Sequence, residues 1–333
     1  MERDVLLLKS LGHEVKLHSF NLKLSLIILS SFKQMLLMIR FAWSNQIIIC
    51  QGAGYHSFIP SILGLFFSVP VIIIAIGTDC VSYPSINYGS NRKKIYGLFT
   101  RKSFEYCKII CPVHEKLVLY QNEFYPQGRR IQGIKNFLPQ LNENKIIVIN
   151  NGYNSDKWIL KNKTRPSKSF LTVVGRITNL NYQLKGIDLI YEFAKLRKDL
   201  NFTIVGTPEI EMPKVKNIKN INFLPQDELV NLYNQHMFYL QLSISEGLPN
   251  SLCEAMLCGC IPIGSSNSSI PEIIGNDGLI VKEKSLNNLT QVFEEIENNL
   301  NDYNRPKKYR DRIIKNYPYN KRLIGFKELL SQL

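Results

Sequence analysis

From Ser57 to Gly77 the chain runs 21 residues without a charged side chain. A stretch of that length has two readings, a membrane span or the buried interior of a folded domain. Pro60, Gly64 and Pro70 interrupt it, and its second part, Val71-Ile-Ile-Ile-Ala-Ile76, is β-branched. A buried helix followed by a central strand suits that pattern better than a continuous span. A strand apolar on both faces needs helices above and below it, so the run implies a parallel sheet with crossover helices.

The same alternation extends along the chain. Val5 to Leu11 reads as the end of a helix, and Gly12-His13-Glu14 turns into a strand over Val15 to Phe20. The pattern then predicts a helix over 22–43, a strand over 47–50 with the exit turn Gln51-Gly-Ala-Gly54, a helix over 57–68 and a strand over 71–76. A basic, aromatic helix over 91–106, a strand over 108–112, a helix over 114–121 and a strand over 146–149 follow. After a polar linker at 161–169 a second series opens with Phe170-Leu-Thr-Val-Val-Gly175. It continues with helix 186–198, strands 202–205 and 221–224, helix 227–235, strand 238–242, helix 251–258, strand 261–263 and a last helix near 320–332. Strands and helices alternating at these lengths imply a doubly wound α/β fold. A chain of 333 residues suits two such domains. The expected division is an N-terminal domain over 1–160, a C-terminal domain over 161–318, and a last helical segment over 319–333.

The net charge is +14, and residues 1–160 carry 18 basic and 9 acidic groups, so most of the excess lies in the first half. Arg92, Lys93, Lys94, Arg101 and Lys102, interleaved with Tyr96, Phe99 and Phe104, and Arg129-Arg130 beyond them, suit an anionic partner. No nucleic-acid module is recognisable, so a phosphorylated substrate or peripheral contact with an anionic membrane is expected and nucleic acid is not. The seven cysteines have no metal-ligand spacing, and their apolar surroundings predict buried, reduced thiols in a cytoplasmic protein. His13, His18, His114 and His236 fall in no catalytic arrangement.

The chemistry gathers in Glu246-Gly-Leu-Pro-Asn-Ser-Leu-Cys-Glu254. An acid closes a strand and loop, Gly247 allows close approach of a ligand, and Pro249 fixes the turn. Asn250 or Ser251 is expected to cap a helix ending near Gly259, with Glu254 one turn inside it. Unsatisfied N–H groups, a positive helix end and two carboxylates around one space suit a ligand that is part phosphate and part polyol. Upstream, Gly175-Arg176 and Lys185-Gly186 add a planar cationic fork and a compact point charge.

These residues resemble the Glu-x7-Glu, Gly-Arg and Lys-Gly motifs of family 4 glycosyltransferases, retaining enzymes of the GT-B fold that use nucleotide sugars. The resemblance covers nearly the whole chain and implies two Rossmann-like domains facing across a cleft, with the last helix crossing back to the first domain. It assigns Glu246, Arg176 and Lys185 to catalysis, Glu246 at the transferred sugar and the two cations at the departing diphosphate. Glu254 would accept from the ribose hydroxyls. Gly175, Gly247, Pro249, Asn250, Ser251 and Leu252 would line the donor pocket, and Phe223 and Leu224 would lie beside the base. No Asp-x-Asp occurs, so metal-independent transfer is expected, with a UDP- or GDP-sugar as donor substrate, a saccharide or lipid-linked acceptor and no further cofactor. Ile147-Val-Ile-Asn-Asn-Gly-Tyr-Asn resembles the family's hinge passage, and Ser265 to Glu272 its Gly-Gly-x-Pro-Glu loop with serines for glycines.

The first half follows the family less closely. Ile76-Gly77-Thr78-Asp79 stands where many relatives have His-Gly-x-Asp, which leaves Asp79 and His56 as substitutes for the histidine. The family's first strand and glycine-rich loop, expected before the Gly12-His13-Glu14-Val15 turn, precede nothing here, which implies a late start assignment or a shortened protein. The alternative function is therefore a donor-binding but catalytically impaired remnant or partner. Assembly of capsule or other surface polysaccharide is the pathway that the family's habits imply.

Overall fold

The computed structural model describes residues 2–21, 24–41, 46–127, 131–161 and 164–333. In the first half come α1 (Glu2–Ser10), α2 (Leu24–Phe41), β1 (Ile48–Gln51), α3 (Tyr55–Phe67), β2 (Val71–Ala75), α4 (Lys94–Tyr106) and β3 (Ile109–Pro112). The strands form a parallel sheet in the order β1-β2-β3, with Ile48 opposite Val71 and Ile72 opposite Ile109. The charge-free run resolves into α3 and β2, and all of β2 is buried. Pro60 lies inside α3, and Ser68 ends it with a left-handed φ of 58°. Gly64 lets α3 lie on the sheet, since a Cβ there would stand 2.5 Å from Val71 Cγ2. Among the described residues no helix is long and apolar enough to cross a membrane.

Three expected elements of this half do not form. Among the described residues Val15–Phe20 has no neighbouring strand, because β1 pairs there with β2 alone, and it remains irregular. The expected helix at 114–121 is a short turn over Glu115–Leu117 followed by β4 (Tyr120–Gln121), which pairs antiparallel with β5 (Ile131–Gln132). There the Val118 carbonyl accepts from Lys135 N, so tertiary structure takes a backbone acceptor that a helix would use. Residues 146–149 follow β3 through Ile147 N on Ile110 O and Ile149 N on Pro112 O, but make only an isolated bridge at the sheet edge. A short α5 (Ile134–Phe137) lies between. The Arg129-Arg130 pair falls outside the described residues, as do 162–163 of the linker.

The second half contains β6 (Ser169–Ile177), α6 (Asn179–Leu184), α7 (Ile187–Leu196), β7 (Asn201–Pro208), β8 (Ile218–Ile221), α8 (Gln226–Gln235), β9 (Phe238–Gln241), α9 (Asn250–Leu257), β10 (Ile261–Ser265), α10 (Ile270–Ile274) and β11 (Leu279–Val281). Six parallel strands run in the order β11-β10-β9-β6-β7-β8. The expected strand at 221–224 sits earlier, because β8 pairs Phe202 to Val205 with Ile218 to Ile221, and residues 222–225 leave the sheet edge for α8. Phe170 anchors the core, stacked on Phe238 at 4.7 Å and Phe202 at 5.3 Å and tilted against Phe293 at 4.7 Å. Three helices close the chain, α11 (Leu286–Tyr303), α12 (Pro306–Asn316) and α13 (Tyr319–Ser331).

α13 returns to the first half. Arg322 is 1% exposed; its Nε donates to Asp4 Oδ1 at 2.8 Å, and its NH1 to Ile149 O at 2.9 Å and Asn150 O at 3.1 Å. Tyr153 exchanges backbone hydrogen bonds with Tyr317 and Tyr319, which ties the passage between the halves to the start of α13. All seven cysteines are buried and unpaired.

Candidate functional site

The strand order dictates where a ligand would lie. From β6 the chain proceeds to β7 and β8 on one side, then returns to place β9 on the other. The carboxyl ends of β6 and β9 therefore diverge at a topological switch point, the position at which open α/β sheets leave a crevice. Gly175 and Arg176 occupy the end of β6, and the loop after β9 carries Glu246 to Pro249. Both ends are built for approach. A Cβ on Gly175 would meet nothing within 4 Å, whereas one on Gly247 would stand 2.2 Å from the Ile76 carbonyl. Gly247 thus allows backbone-to-backbone approach to the other half, and Gly77 answers it with a φ of 129° and little room for a side chain, since a Cβ there would stand 3.1 Å from Gly247 N.

Lys185 and Glu246 come together. Lys185 Nζ donates to Glu246 Oε1 at 2.6 Å, with side chains 28% and 12% exposed. Local geometry places the lysine: Gly186 takes a φ of 71°, and a Cβ there would stand 2.3 Å from Leu242 O. Ile244 N on Leu184 O at 2.8 Å fixes the two loops side by side. Gln241, the last residue of β9, donates to Glu246 Oε1 at 3.0 Å and to Ser243 Oγ at 2.8 Å, and accepts from Ser251 Oγ at 3.3 Å. Behind the loop, Ser268 Oγ donates to Glu246 O, and Ser265 Oγ to Ser243 O at 2.7 Å. Serines in this loop thus act as clamps on the loop that carries the glutamate.

The helix after the loop corrects an expectation. Pro249 is the N-cap of α9 and no side chain caps it. Asn250 and Ser251 are already helical, and both side chains are engaged elsewhere. Asn250 Oδ1 accepts from Tyr153 OH at 2.9 Å and Asn151 Nδ2 at 3.4 Å. The start of α9 therefore keeps its backbone N–H groups free of side-chain acceptors and the positive end of its dipole uncompensated. Leu252 is fully buried and contributes packing. Glu254, on the turn after, accepts from Tyr233 OH at 3.5 Å. Burial pushes its carboxyl up to about 7, against the opposing pull of the Arg3 charge and the Tyr233 hydroxyl.

Other expected residues lie apart. Arg176 is exposed and donates to Glu209 Oε1 at 2.9 Å, not to the Lys185–Glu246 pair. Phe223, 69% exposed, and Leu224 stand on the loop beyond β8. Asp79 is buried and accepts from Ala53 N and Gly77 N at 3.0 Å and Ile76 N at 3.2 Å. Burial raises its carboxyl despite those donors, and its place is the organisation of two loops. Ile76 itself is 47% exposed. His56 Nε2 contacts Gln51 O at 3.0 Å. His114 is buried, accepts from Lys116 N and stands 3.7 Å from Glu272, and burial holds it down at about 4. Thr78 Oγ1 and Tyr88 OH pair at 2.9 Å on the facing loops.

Sequence reasoning missed Gln241, Tyr153 and Arg3. Gln241 had a signal, a polar residue ending the otherwise apolar Phe238-Tyr-Leu. Tyr153 and Arg3 had none, since their neighbours lie about a hundred residues or more away.

Known proteins resemble this chain in part of its sequence and in its fold. Residues 154–316, just under half of the chain, match the family described as Glycosyl transferases group 1. Over 72 residues the chain is 33% identical to the serotype-specific mannosyltransferase WbdA of Escherichia coli, a stretch that covers 22% of this chain and 9% of that protein. The chain thus spans only about a tenth of that curated relative's length. Among solved structures, Anabaena Alr3699/HepE in complex with UDP superposes with a TM-score of 0.68 over 99% of this chain and 89% of its own, at 12% identity. Sucrose-phosphate synthase from Thermosynechococcus elongatus gives 0.68 over 94% and 80%, at 12% identity. A glycosyltransferase from Rickettsia africae gives 0.61 over 98% and 87%, at 17% identity. The fold is that of the GT-B glycosyltransferases.

Proposed function

We propose that this protein is a glycosyltransferase that moves a sugar from a nucleotide-diphosphate donor to a saccharide or lipid-linked acceptor, with retention at the anomeric carbon and as part of surface-polysaccharide synthesis. The observation that carries the reading is the Lys185–Glu246 pair at the switch point, beside a helix start that no side chain caps. A diphosphate leaving group develops negative charge, and an ammonium, a guanidinium and a positive helix end are the groups that stabilise it. Lys185 and the start of α9 supply the first and last, and Arg176 the guanidinium once it leaves Glu209. Glu246, released from Lys185 by the diphosphate, would hold the sugar's hydroxyls, and Glu254 the ribose diol. Nothing in this scheme requires a metal, so transfer in the presence of a chelator is expected.

The match of residues 154–316 and the UDP complex of the HepE relative support a nucleotide-sugar donor. The basic face of α4 supports a peripheral encounter with an anionic membrane that presents the acceptor. A second reading, a donor-binding protein impaired in transfer, is favoured by one observation. Exposed Ile76 offers no hydrogen bond where the family has a histidine.

Incubation of the purified protein with UDP- and GDP-sugars, with nucleotide release followed, separates the two. Glu254→Ala should weaken nucleotide binding about tenfold or more, while Glu246→Ala should mainly lower turnover. Nucleotide binding with neither hydrolysis nor transfer would leave the impaired reading standing; equal, unchanged behaviour of both variants would overturn the site.

A further inference from the structure

Arg3, on the first turn of α1, has no part in the donor chemistry above. Its NH1 donates to Gly152 O at 3.1 Å, and its guanidinium lies 5.7 Å from the centroid of the Tyr153 ring. Its Nε is buried with no partner, and no carboxylate lies within ion-pair distance of it among the described residues. The neighbouring Asp4 is already committed to Arg322 and Gln51. An arginine held half-buried against a carbonyl and a ring, without an anion, is a charge placed for something else.

The contacts lead to α9. Tyr153, under the guanidinium, donates its hydroxyl to Asn250 Oδ1 at 2.9 Å. Asn250 and Glu254 are four residues apart in the same helix and therefore share a face. Among the described residues, the groups that feel the Glu254 charge are neutral at working pH. These are Tyr153 in the passage between the halves, Tyr233 on α8, Tyr239 on β9, and Cys253 and Cys258 beside it, all raised chiefly by burial. Among the described residues, Arg3 is the cation whose charge pulls this carboxyl down against the rise from burial.

We propose that Arg3 is a positioning residue for Glu254, holding that carboxylate in the ionised form that a ribose diol requires. An ionised carboxylate accepts from both hydroxyls of a diol, whereas a protonated one offers a donor where an acceptor is needed. The inference deepens the donor-site reading and rests on it for Glu254's ligand, but the Arg3–Glu254 coupling can be measured without any ligand.

The test uses the full chain carrying Arg3→Gln, which can still donate to Gly152 O but is neutral, and Arg3→Lys, which keeps the charge. Each is combined with Glu254→Gln, and thermal unfolding is followed from pH 5 to 8.5. The expected result is that the depression of the Tm by Glu254, relative to its glutamine variant, grows larger and levels off about half a pH unit or more higher in Arg3→Gln, while Arg3→Lys follows the wild type. UDP binding at pH 6.5 should fall about threefold in Arg3→Gln and recover at pH 8.5. Strict additivity of the two positions across the pH range would overturn the proposal, as would a charge-retaining lysine that behaves like glutamine. Coupling without UDP or GDP binding in any variant would support Arg3's role and sink the donor reading alone.

Discussion

The two parallel sheets differ in how completely they are dressed, and the difference shows where the molecule keeps its chemistry. In the second half the inner strands are covered and only the edge strand β8 lacks a buried residue, and Phe170, Leu171, Phe238, Leu240 and Ile263 are all within 2% of full burial. In the first half three strands carry a helical layer whose outer face is bare. On α2, Ile28 is 82% exposed, Phe32 53% and Ile39 47%, and Phe66 at the end of α3 is 80%. Both sheets have a fully buried central strand, so strand quality is not what separates them. The second half buries enough apolar surface to hold loops at its switch point in one geometry, and the first half supplies contacts that seat those loops. The approach of Ile76-Gly77 to Gly247 is of that kind, while Asp4 on Arg322 ties α13 to the first half.

The strongest way to break this comparison is to empty one position on each side. Phe170→Ala removes a ring packed among three others and should cost about 3–5 kcal/mol. Phe32→Ala should change stability by less than about 0.5 kcal/mol. Urea unfolding of the two variants measures both. Comparable losses would mean that α2 is as much part of a core as β6 is.

The joint between the halves comes next. Asp4→Asn leaves Arg322 buried without its anion and should cost about 3 kcal/mol. Burial alone would raise the Asp4 carboxyl, but the Arg322 bond and charge outweigh it and leave it below its ordinary value. A lowered carboxylate stabilises above its unfolded pKa, and that contribution is lost as pH falls. The deficit of Asp4→Asn should therefore be largest near neutrality and shrink below about pH 4. A deficit unchanged by pH would show that the amide loses packing rather than charge.

Glu254 has the opposite sign. Its carboxyl is raised to about 7 in the fold, so folding favours the protonated form, and that advantage is lost as pH rises from the unfolded value towards 7. Glu254→Gln should stabilise the protein by on the order of 2 kcal/mol at pH 8 and by little at pH 4.5. Melting curves at the two pH values decide it. The stabilised variant should also bind nucleotide less well, the trade expected where a site carries strain for function.

How much of this was legible in the sequence follows the same division. Strands buried on both faces announced themselves as apolar runs, β-branched in β2 and aromatic in β9, which is why β2, β6, β7, β9 and β10 were placed to within a few residues. Lys185 and Glu246 were both expected at the donor site through their resemblance to the Lys-Gly and Glu-x7-Glu motifs, but at different parts of the donor, and their ion pair was not foreseen. Where tertiary hydrogen bonds took over, the reading failed. The Val118 carbonyl was claimed by Lys135 N, so no helix formed at 114–121, and Val15–Phe20 found no strand to join. The capping expectation failed for a similar reason. The Asn250 side chain was drawn to Tyr153, a partner 97 residues away, rather than to its own helix.

The smallest effect concerns the one site cation that points away. Arg176 and Glu209 are 74% and 41% exposed, so their ion pair should be worth no more than about 1 kcal/mol and should weaken with salt. Glu209→Ala should therefore barely move stability. Its use is as a probe of the donor site. If Arg176 turns to the diphosphate, Glu209 competes for it, and removing that competitor should tighten nucleotide binding by about two- to fivefold at low salt. Titration of UDP into wild type and variant at low and high salt reads this directly. An affinity unchanged by Glu209→Ala but reduced by Lys185→Ala would leave Arg176 a surface residue and put the phosphate charge on Lys185 and the start of α9.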